Sequence, residues 1–498
     1  MEAYRVEVTL AFVAVYMVFC VVVGLWAMRR TQDASDFFVA GRHLGPFVVA
    51  LAVFSSTLSG FGFVGGPGLV YSSGMSSLWM VIVAGFGYSI GFYLVAKRIR
   101  MVAGVRNALS LPDVVAARYN SEWARGLTAV TILLGVMGYL ATQILAMALV
   151  LQSLLSATET FADVSLLTCV AWSLAVLVFY SVTGGIVASV YTDVIQGAIM
   201  AGAGLLILVA ASSVFDGGLP EATSIIMADD PEAGLPFGTL GMITALGWGF
   251  VFGIGLAGQP HLVTKMMMNR KISDNRLIFP VSLIGYALAA LLWFSIGIVM
   301  RATGLDGSMP MLDAPDGAAP AFLATFAHPL LAGVVFAALF AAIMSTSDAF
   351  LNIGTAAVIH DIPNALRGRS VENELFWARV VTVLITLVAA AFALYSYYGN
   401  ERLVALLGAF GWGTFAAALV PVVVFGLNWK RATAKAAVVA IVASLLMNFA
   451  VEIFSIRLPF GISGPFLAMT TSMSLFLIVS LIDRPPKLAE DIERILDL

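Results

Sequence analysis

Runs of about twenty apolar residues recur along this chain, and no other feature of the sequence limits its fold as strongly. A helix needs about 20 such residues to cross a bilayer. The runs fall at 8–28, 46–72, 76–96, 126–155, 163–182, 186–213, 238–260, 277–300, 328–359, 377–398, 403–427, 434–451 and 461–482, which predicts about thirteen transmembrane helices. The chain has 498 residues, 60% hydrophobic and 11% charged, where a soluble chain carries about a quarter charged. That composition excludes an ordinary cytosolic enzyme and a disordered protein. A net charge of −3 leaves no basic surface for nucleic acid. Cys20 and Cys169 lie inside apolar runs and read as small core residues, neither a disulfide framework nor a zinc site. The first run is preceded by Glu2 and Glu7 and followed by Arg29 and Arg30, the reverse of a cleaved signal peptide. The predicted fold is an all-α polytopic membrane protein.

The scarce basic residues orient it. With the N-terminus outside and thirteen spans threaded, only Arg5, Arg301, Arg402 and Arg457 of the 26 Lys and Arg residues fall on the outer side. The rest, Lys265 among them, sort to inner loops, as cytoplasmic loops require. The expected location is a cell (plasma or inner) membrane, multi-pass, with the N-terminus outside and the C-terminus cytoplasmic. The outer connections are rich in Gly, Pro and Asp, and a short tail, 483–498, has surface-helix character.

Two spans depart from the Leu/Val/Ala pattern. The second holds Ser55-Ser-Thr-Leu-Ser-Gly-Phe-Gly-Phe-Val-Gly-Gly-Pro-Gly68, and the seventh holds Gly247-Trp-Gly-Phe-Val-Phe-Gly-Ile-Gly-Leu-Ala-Gly-Gln-Pro260. Gly and Pro weaken helices by about 1 and 3 kcal/mol relative to Ala. In lipid such breaks persist only where freed backbone groups are buried or line a cavity. Each break opens a set of five spans, 46–213 and 238–427, which enter the membrane in opposite senses. Paired interruptions at matching places point to an inverted-repeat transporter with a midplane site. Residues 1–30 would be an extra N-terminal helix, and 434–482 two additional C-terminal helices.

The ninth span carries Ala342, Ser345 and Thr346 at i, i+3 and i+4, hence on one face, extended by Asp348 and Asn352. An ionised aspartate at membrane depth needs a cation, water or a donor, so Asp348 suggests a cation or proton role. Asp193 lies near a span end, where capping and cation binding both fit. Hydroxyls, carbonyls and carboxylates suit a hard cation. His43, His261, His328 and His360 fall near predicted span ends or loops, which argues against a deep histidine relay.

Several blocks in order resemble the sodium:solute symporter family: Asp36-Phe-Phe-Val-Ala-Gly-Arg42, Gly65-Gly-Pro-Gly68, Gly184-Gly-Ile-Val-Ala-Ser-Val-Tyr-Thr-Asp-Val-Ile-Gln196, Gly258-Gln-Pro-His261 and Ala341-Ala-Ile-Met-Ser-Thr346. The resemblance implies a five-plus-five inverted repeat with discontinuous first and sixth repeat helices. It implies a sodium site built from carbonyls of Ser55, Leu58 and Ala342 and hydroxyls of Ser345 and Thr346. A second sodium, as in some members, would involve Asp193 with Ser345 and Asp348. Gly-Gln-Pro-His and the region from Leu403 to Lys430 look most like the proline-transporting branch, and Gly65-Gly-Pro-Gly68 also occurs in pantothenate-type members. Proline transporters typically carry an aspartate where this chain has Thr57, and aromatic residues where it has Phe252 and Leu256.

The substrate cavity is expected to be lined by Ser56, Thr57, Ser59, Tyr139, Gln143, Phe252 and Gln259, with no charged side chain mid-cavity on the first, third or sixth repeat helices. That favours a small zwitterion or monocarboxylate. The resulting function is secondary active import of a small organic solute coupled to Na+, by alternating access, with no catalytic residues and no nucleotide motif. A proton-coupled transporter of the same fold, a sodium/pantothenate-type symporter, a channel and a transporter-like sensor are the alternatives. The partners are a small solute and the lipid bilayer, with no nucleic acid; the oligomeric state is unknown.

Overall fold

The structure is a computed structural model that describes residues 5–29, 31, 33–400 and 404–498. Glu2, Arg30, Arg402 and Leu403, used in the sequence reading, lie outside the described residues. Regular structure among the described residues is helical, apart from one isolated bridge between Leu44 and Asn269. Eleven stretches among them are long and apolar enough to cross a membrane, against about thirteen read from the sequence. The difference lies in where runs divide. Residues 62–106 form one stretch of 45 residues, whereas Pro46–Ser55 and Leu166–Phe179 are shorter apolar helices.

Length forces one of these divisions. The Leu166–Ser212 helix has 47 residues, about 70 Å at 1.5 Å per residue, more than twice the thickness of a hydrocarbon core. It turns at Gly185, with φ 52° and ψ −152°, a backbone conformation closed to residues with a side chain. Space is short there too: a Cβ on Gly185 would stand 2.6 Å from the Phe37 ring.

Burial separates a centre from a periphery. The best apolar windows of Gly408–Asn428 and Pro329–Arg367 are 89% and 83% buried, against 28% for Arg5–Met28 and Gly464–Ile482. Leu166–Ser212 packs against both Pro329–Ala356 and Asn275–Leu305, and Glu122–Leu155 packs against Val404–Val420. Peripheral side chains such as Val15, Ile82, Phe86 and Leu446 are exposed, an apolar exterior that suits lipid and not water.

Basic side chains gather at one end and tie helix ends together. Arg118 Nε donates to the Gly426 carbonyl at 2.6 Å, and Arg100 Nε to that of Asn269 at 2.9 Å. Arg98 donates to the Asn428 side chain. The Glu490–Leu496 helix docks here through Arg106 and Asp491, with Ile492 and Ile495 buried. At the opposite end, a cavity of about 700 Å3 is lined by Gln152, Asp313, Asp316, Tyr397 and Tyr398, among others.

Candidate functional site

The first break begins where hydroxyl side chains compete with the helix backbone. Pro46–Ser55 is helical, and the helix is lost over 56–59. Thr57 Oγ1 turns back to the Val53 carbonyl at 2.8 Å, and the Ser55 hydroxyl to that of Ala52 at 3.2 Å. The chain resumes through a wide π turn at Phe61–Gly65. The Pro329–Ala356 helix faces this unwound stretch. Ser345 Oγ donates to the carbonyls of Ser55 at 3.1 Å and Ala342 at 3.0 Å. Thr346 Oγ1 reaches those of Ala342 at 3.1 Å and Ser56 at 3.4 Å.

Four of the five sequence-predicted sodium ligands therefore meet in one group of oxygens: Ser55, Ala342, Ser345 and Thr346. Leu58, the fifth, is buried on the unwound stretch. Ca2+, an ion of about sodium's radius, takes oxygens at about 2.3–2.6 Å, which sets neighbouring ligand oxygens about 3–3.5 Å apart. The group has that spacing.

The second break lies at the end of Met242–Gly253. The chain tightens into a 3-10 segment, Ile254–Gly258, passes Gln259 in an extended conformation, and starts a new helix, Pro260–Lys265. Proline at that helix's first position supplies the fixed φ and lacks the N–H that would be left unpaired. The Gln259 amide donates to the carbonyls of Gly255 and Trp412, each at 3.2 Å.

One expectation is corrected here. Lys265 is not a loop residue: it is 1% exposed, at the end of the second half of the broken helix. Its ammonium donates to Asp193 Oδ2 at 2.7 Å and to the Ala52 carbonyl at 2.9 Å. Its third bond is a close contact with Ser56 Oγ, so all three ammonium hydrogens are placed. A charged side chain thus stands at the end of the sixth repeat helix, beside the first break. His261, in the last turns of the same span, is likewise buried, with its ring centroid 4.4 Å from that of Phe350. The reading placed the seventh span's end at residue 260, one turn early, because Pro260 and the following polar residues resemble a helix exit. The missed signal was a lysine one helical turn past His261, near enough to the first break to answer the buried Asp193.

The remaining candidates surround the breaks. Thr57 bonds the Tyr88 hydroxyl at 2.6 Å, and Ser59 that of Tyr139 at 3.0 Å. Gln143 Oε1 accepts from the Gly60 N–H at 2.8 Å, satisfying a backbone donor freed by the unwinding. Phe252 stacks on Trp412, ring centroids 5.4 Å apart. Between the breaks lies a chamber of about 20 Å3, lined by Thr57, Leu58, Phe252, Leu256, Tyr286, Trp293 and Trp412, with Met80 and Ala84. Its volume suits one or two waters, so a solute enters only if side chains move. Tyr286, Trp293 and Trp412 were not singled out from sequence, where they read as ordinary aromatic residues of apolar spans.

The two membrane carboxylates have different partners. Asp193 Oδ2 is held by Lys265, while its Oδ1 is buried without a hydrogen-bond partner. Asp348 Oδ1 accepts from Ser181 at 2.8 Å.

A family model, the sodium:solute symporter family, matches residues 37–443. The sodium/proline symporter of Escherichia coli is 30% identical over 87% of this chain and 85% of its own length. An osmoregulated proline transporter of Bacillus subtilis is 27% identical, covering 84% of this chain and 83% of its own. Among solved structures, a Na+-coupled sialic acid symporter in its substrate-bound outward-open state superposes with a TM-score of 0.78. It has 21% identity and covers 97% of this chain and 99% of its own. MhsT in complex with L-phenylalanine gives 0.52 at 14% identity, over 87% of this chain and 97% of its own. The fold is thus the inverted repeat with discontinuous first and sixth helices, and the activity is sodium-coupled import of a solute across a membrane. The chain belongs to the sodium:solute symporter family.

Proposed function

We propose that the solute is a small zwitterionic amino acid, with proline the first candidate, and that one Na+ bound by Ser55, Leu58, Ala342, Ser345 and Thr346 drives its uptake. The observation that carries the solute class is a pair of unspent amide atoms. Gln143 Nε2 and Gln259 Oε1, one beside each break, are buried without a hydrogen-bond partner. A buried polar atom left unpaired costs about 1–3 kcal/mol, and a ligand with both an acceptor and a donor removes that cost at both places. A carboxylate answers the Gln143 N–H, and an amine or imine answers the Gln259 carbonyl. The chamber between the breaks is walled mainly by aromatic and apolar side chains without a charge among them, which disfavours a cationic or multiply charged solute. The proline transporters among the relatives support the same class.

The second-ion group, Asp193 with Ser345 and Asp348, is not needed in this scheme, because Lys265 supplies the countercharge of Asp193. In operation, Na+ joins the first repeat helix to the Pro329–Ala356 helix and thereby orders the unwound stretch. Solute then replaces internal partners of Ser56, Thr57, Ser59, Tyr139 and Gln143, and packs on Phe252. The repeat boundaries are those of the sequence reading, 46–213 and 238–427. The Arg-rich end faces the cytoplasm and the C-terminus lies inside, by the distribution of basic residues. Each charge carried inward gains about 2.3 kcal/mol per 100 mV.

The test is uptake into proteoliposomes with and without an inward Na+ gradient, over a panel of proline, other small amino acids, pantothenate and short monocarboxylates. Sodium-stimulated uptake confined to amino acids is expected. Uptake of monocarboxylates or pantothenate with none of the amino acids would refute the zwitterion assignment.

A further inference from the structure

Away from the breaks, at the Arg-rich end, three metal-ligating side chains converge from two elements. Asp113 lies on Leu111–Tyr119, in the connection between the 62–106 stretch and Glu122–Leu155. His360 and Asp361 lie on the π turn Ala357–Asp361 that ends the long central helix, a type of turn that recurs at functional sites. One ligand atom from each lies within 4.8 Å of the other two.

Each ligand has one atom held by a group outside the three: Arg125 on Asp113, Glu374 on His360 and Ser110 on Asp361. Asp113 Oδ1 accepts from Arg125 at 2.9 Å, and Asp113 Oδ2 lies 3.0 Å from His360 Nε2. Asp113 Oδ2 also accepts the Leu109 N–H at 2.9 Å, which leaves it a second lone pair. His360 Nδ1 pairs with Glu374 Oε1 at 3.1 Å. A carboxylate behind an imidazole fixes the tautomer that leaves Nε2 free to ligate. The Asn364 amide stands 3.5 Å from that Nε2. Asp361 Oδ1 accepts from Ser110 at 2.5 Å, while its Oδ2 is buried without a hydrogen-bond partner in a residue 1% exposed.

An imidazolium clasped between Asp113 and Glu374 accounts for His360, but it leaves the Asp361 oxygen unanswered. A metal ion answers all three. With bonds of about 2.0–2.2 Å, a 3.0 Å separation of His360 Nε2 and Asp113 Oδ2 subtends about 90° at the ion. Opening it to a tetrahedral angle requires about 0.4 Å of movement at those bond lengths. Charge favours a cation as well: Asp113, Asp361 and Glu374 bring three negative charges, and the single positive charge of Arg125 is shared with Glu122 at 2.9 Å.

We propose that Asp113, His360 and Asp361 bind one transition-metal dication of the zinc class, with Glu374, Arg125 and Ser110 orienting the ligands. One imidazole and two carboxylates suit Zn2+ or Co2+ better than Mg2+, which prefers all-oxygen octahedral shells. The bound ion would pin the Leu111–Tyr119 helix to the end of the central helix, a link independent of sodium and solute.

The full chain, purified in detergent, stripped with chelator and titrated with Zn2+ or Co2+, provides the test. One ion per chain is expected by elemental analysis, with a visible Co2+ spectrum of low coordination number. Asp361→Asn and His360→Gln should each weaken binding at least tenfold, and Glu374→Gln about tenfold. X-ray absorption on zinc-loaded wild-type protein supplies a readout that needs no variant: one imidazole with oxygen neighbours supports the site. No stoichiometric metal, sulfur in the shell, or unchanged affinity in both ligand variants would overturn it.

Discussion

The two breaks do the same topological work with different chemistry. The first is wired by polar side chains: Ser345 and Thr346 meet its carbonyls, Lys265 meets Ala52 and Ser56, and Tyr88, Tyr139 and Gln143 hold Thr57, Ser59 and Gly60. The second is held mainly by close packing of glycines against the Val404–Val420 helix, with one glutamine bonding backbone. A Cβ on Gly258 would lie 2.7 Å from Val420 Cγ2 and 2.8 Å from the Val420 nitrogen; one on Gly255 would lie 2.6 Å from Ala416 Cβ. Polar wiring can be exchanged for bonds to an ion or solute, whereas steric fit is either kept or lost. In the proposed scheme the first break therefore exchanges internal bonds for those of the ion and the solute's carboxylate, while the second meets the solute by shape and through Gln259 alone.

The largest expected effect tests the wiring. Lys265→Met strands the Asp193 carboxylate in the interior, and breaking a buried pair in this way costs about 3–5 kcal/mol. Thermal unfolding in detergent should show a large loss, and Lys265→Met combined with Asp193→Asn should regain most of it. A single variant as stable as wild type would mean that the pair does not hold the first break. Next comes the packed wall. Gly258→Ala should cost about 1–3 kcal/mol by overpacking and lower maximal uptake without changing the sodium requirement. A shift in sodium half-saturation would erase the contrast between the breaks.

Ser345→Ala and Thr346→Ala each remove one ligand oxygen. Sodium half-saturation should rise about tenfold, equivalent to about 1.4 kcal/mol, with uptake restored at high sodium. Unchanged sodium dependence in both would displace the proposed ion from this oxygen group. The smallest effect is expected from Tyr88→Phe, which takes away the hydrogen bond to Thr57. About 0.5–1.5 kcal/mol of stability should be lost, and a larger loss would mark Thr57 as a hinge of the break.

Much of this architecture was legible because lipid punishes exceptions. A Ser-Ser-Thr run or a Gly-rich stretch at membrane depth has few permitted explanations, so the interruption at Ser55 and the hydroxyl face of Ser345 and Thr346 stood out, and the family resemblance then implied a sodium site there. Lys265 was not legible for the converse reason. A lysine beyond a Gly-Gln-Pro break looks like a loop residue unless its partner is known, and that partner, Asp193, is 72 residues away in the chain. The aromatic wall was missed on similar grounds: in an apolar span, Trp412 carries no periodic signal that separates a cavity face from a packed one.

The sequence by itself determined the membrane class, the two interruptions and the hydroxyl face of Ser345 and Thr346, since each follows from local composition and spacing set against the cost of polar groups in hydrocarbon. Only the tertiary structure decided which polar groups share an environment. It joined Asp193 to Lys265, and it brought Asp113 from one connection to His360 and Asp361 at the end of another helix. Pairings of that kind depend on how helices distant in sequence pack, and that packing is set by shape and burial over the whole bundle, not by any local pattern.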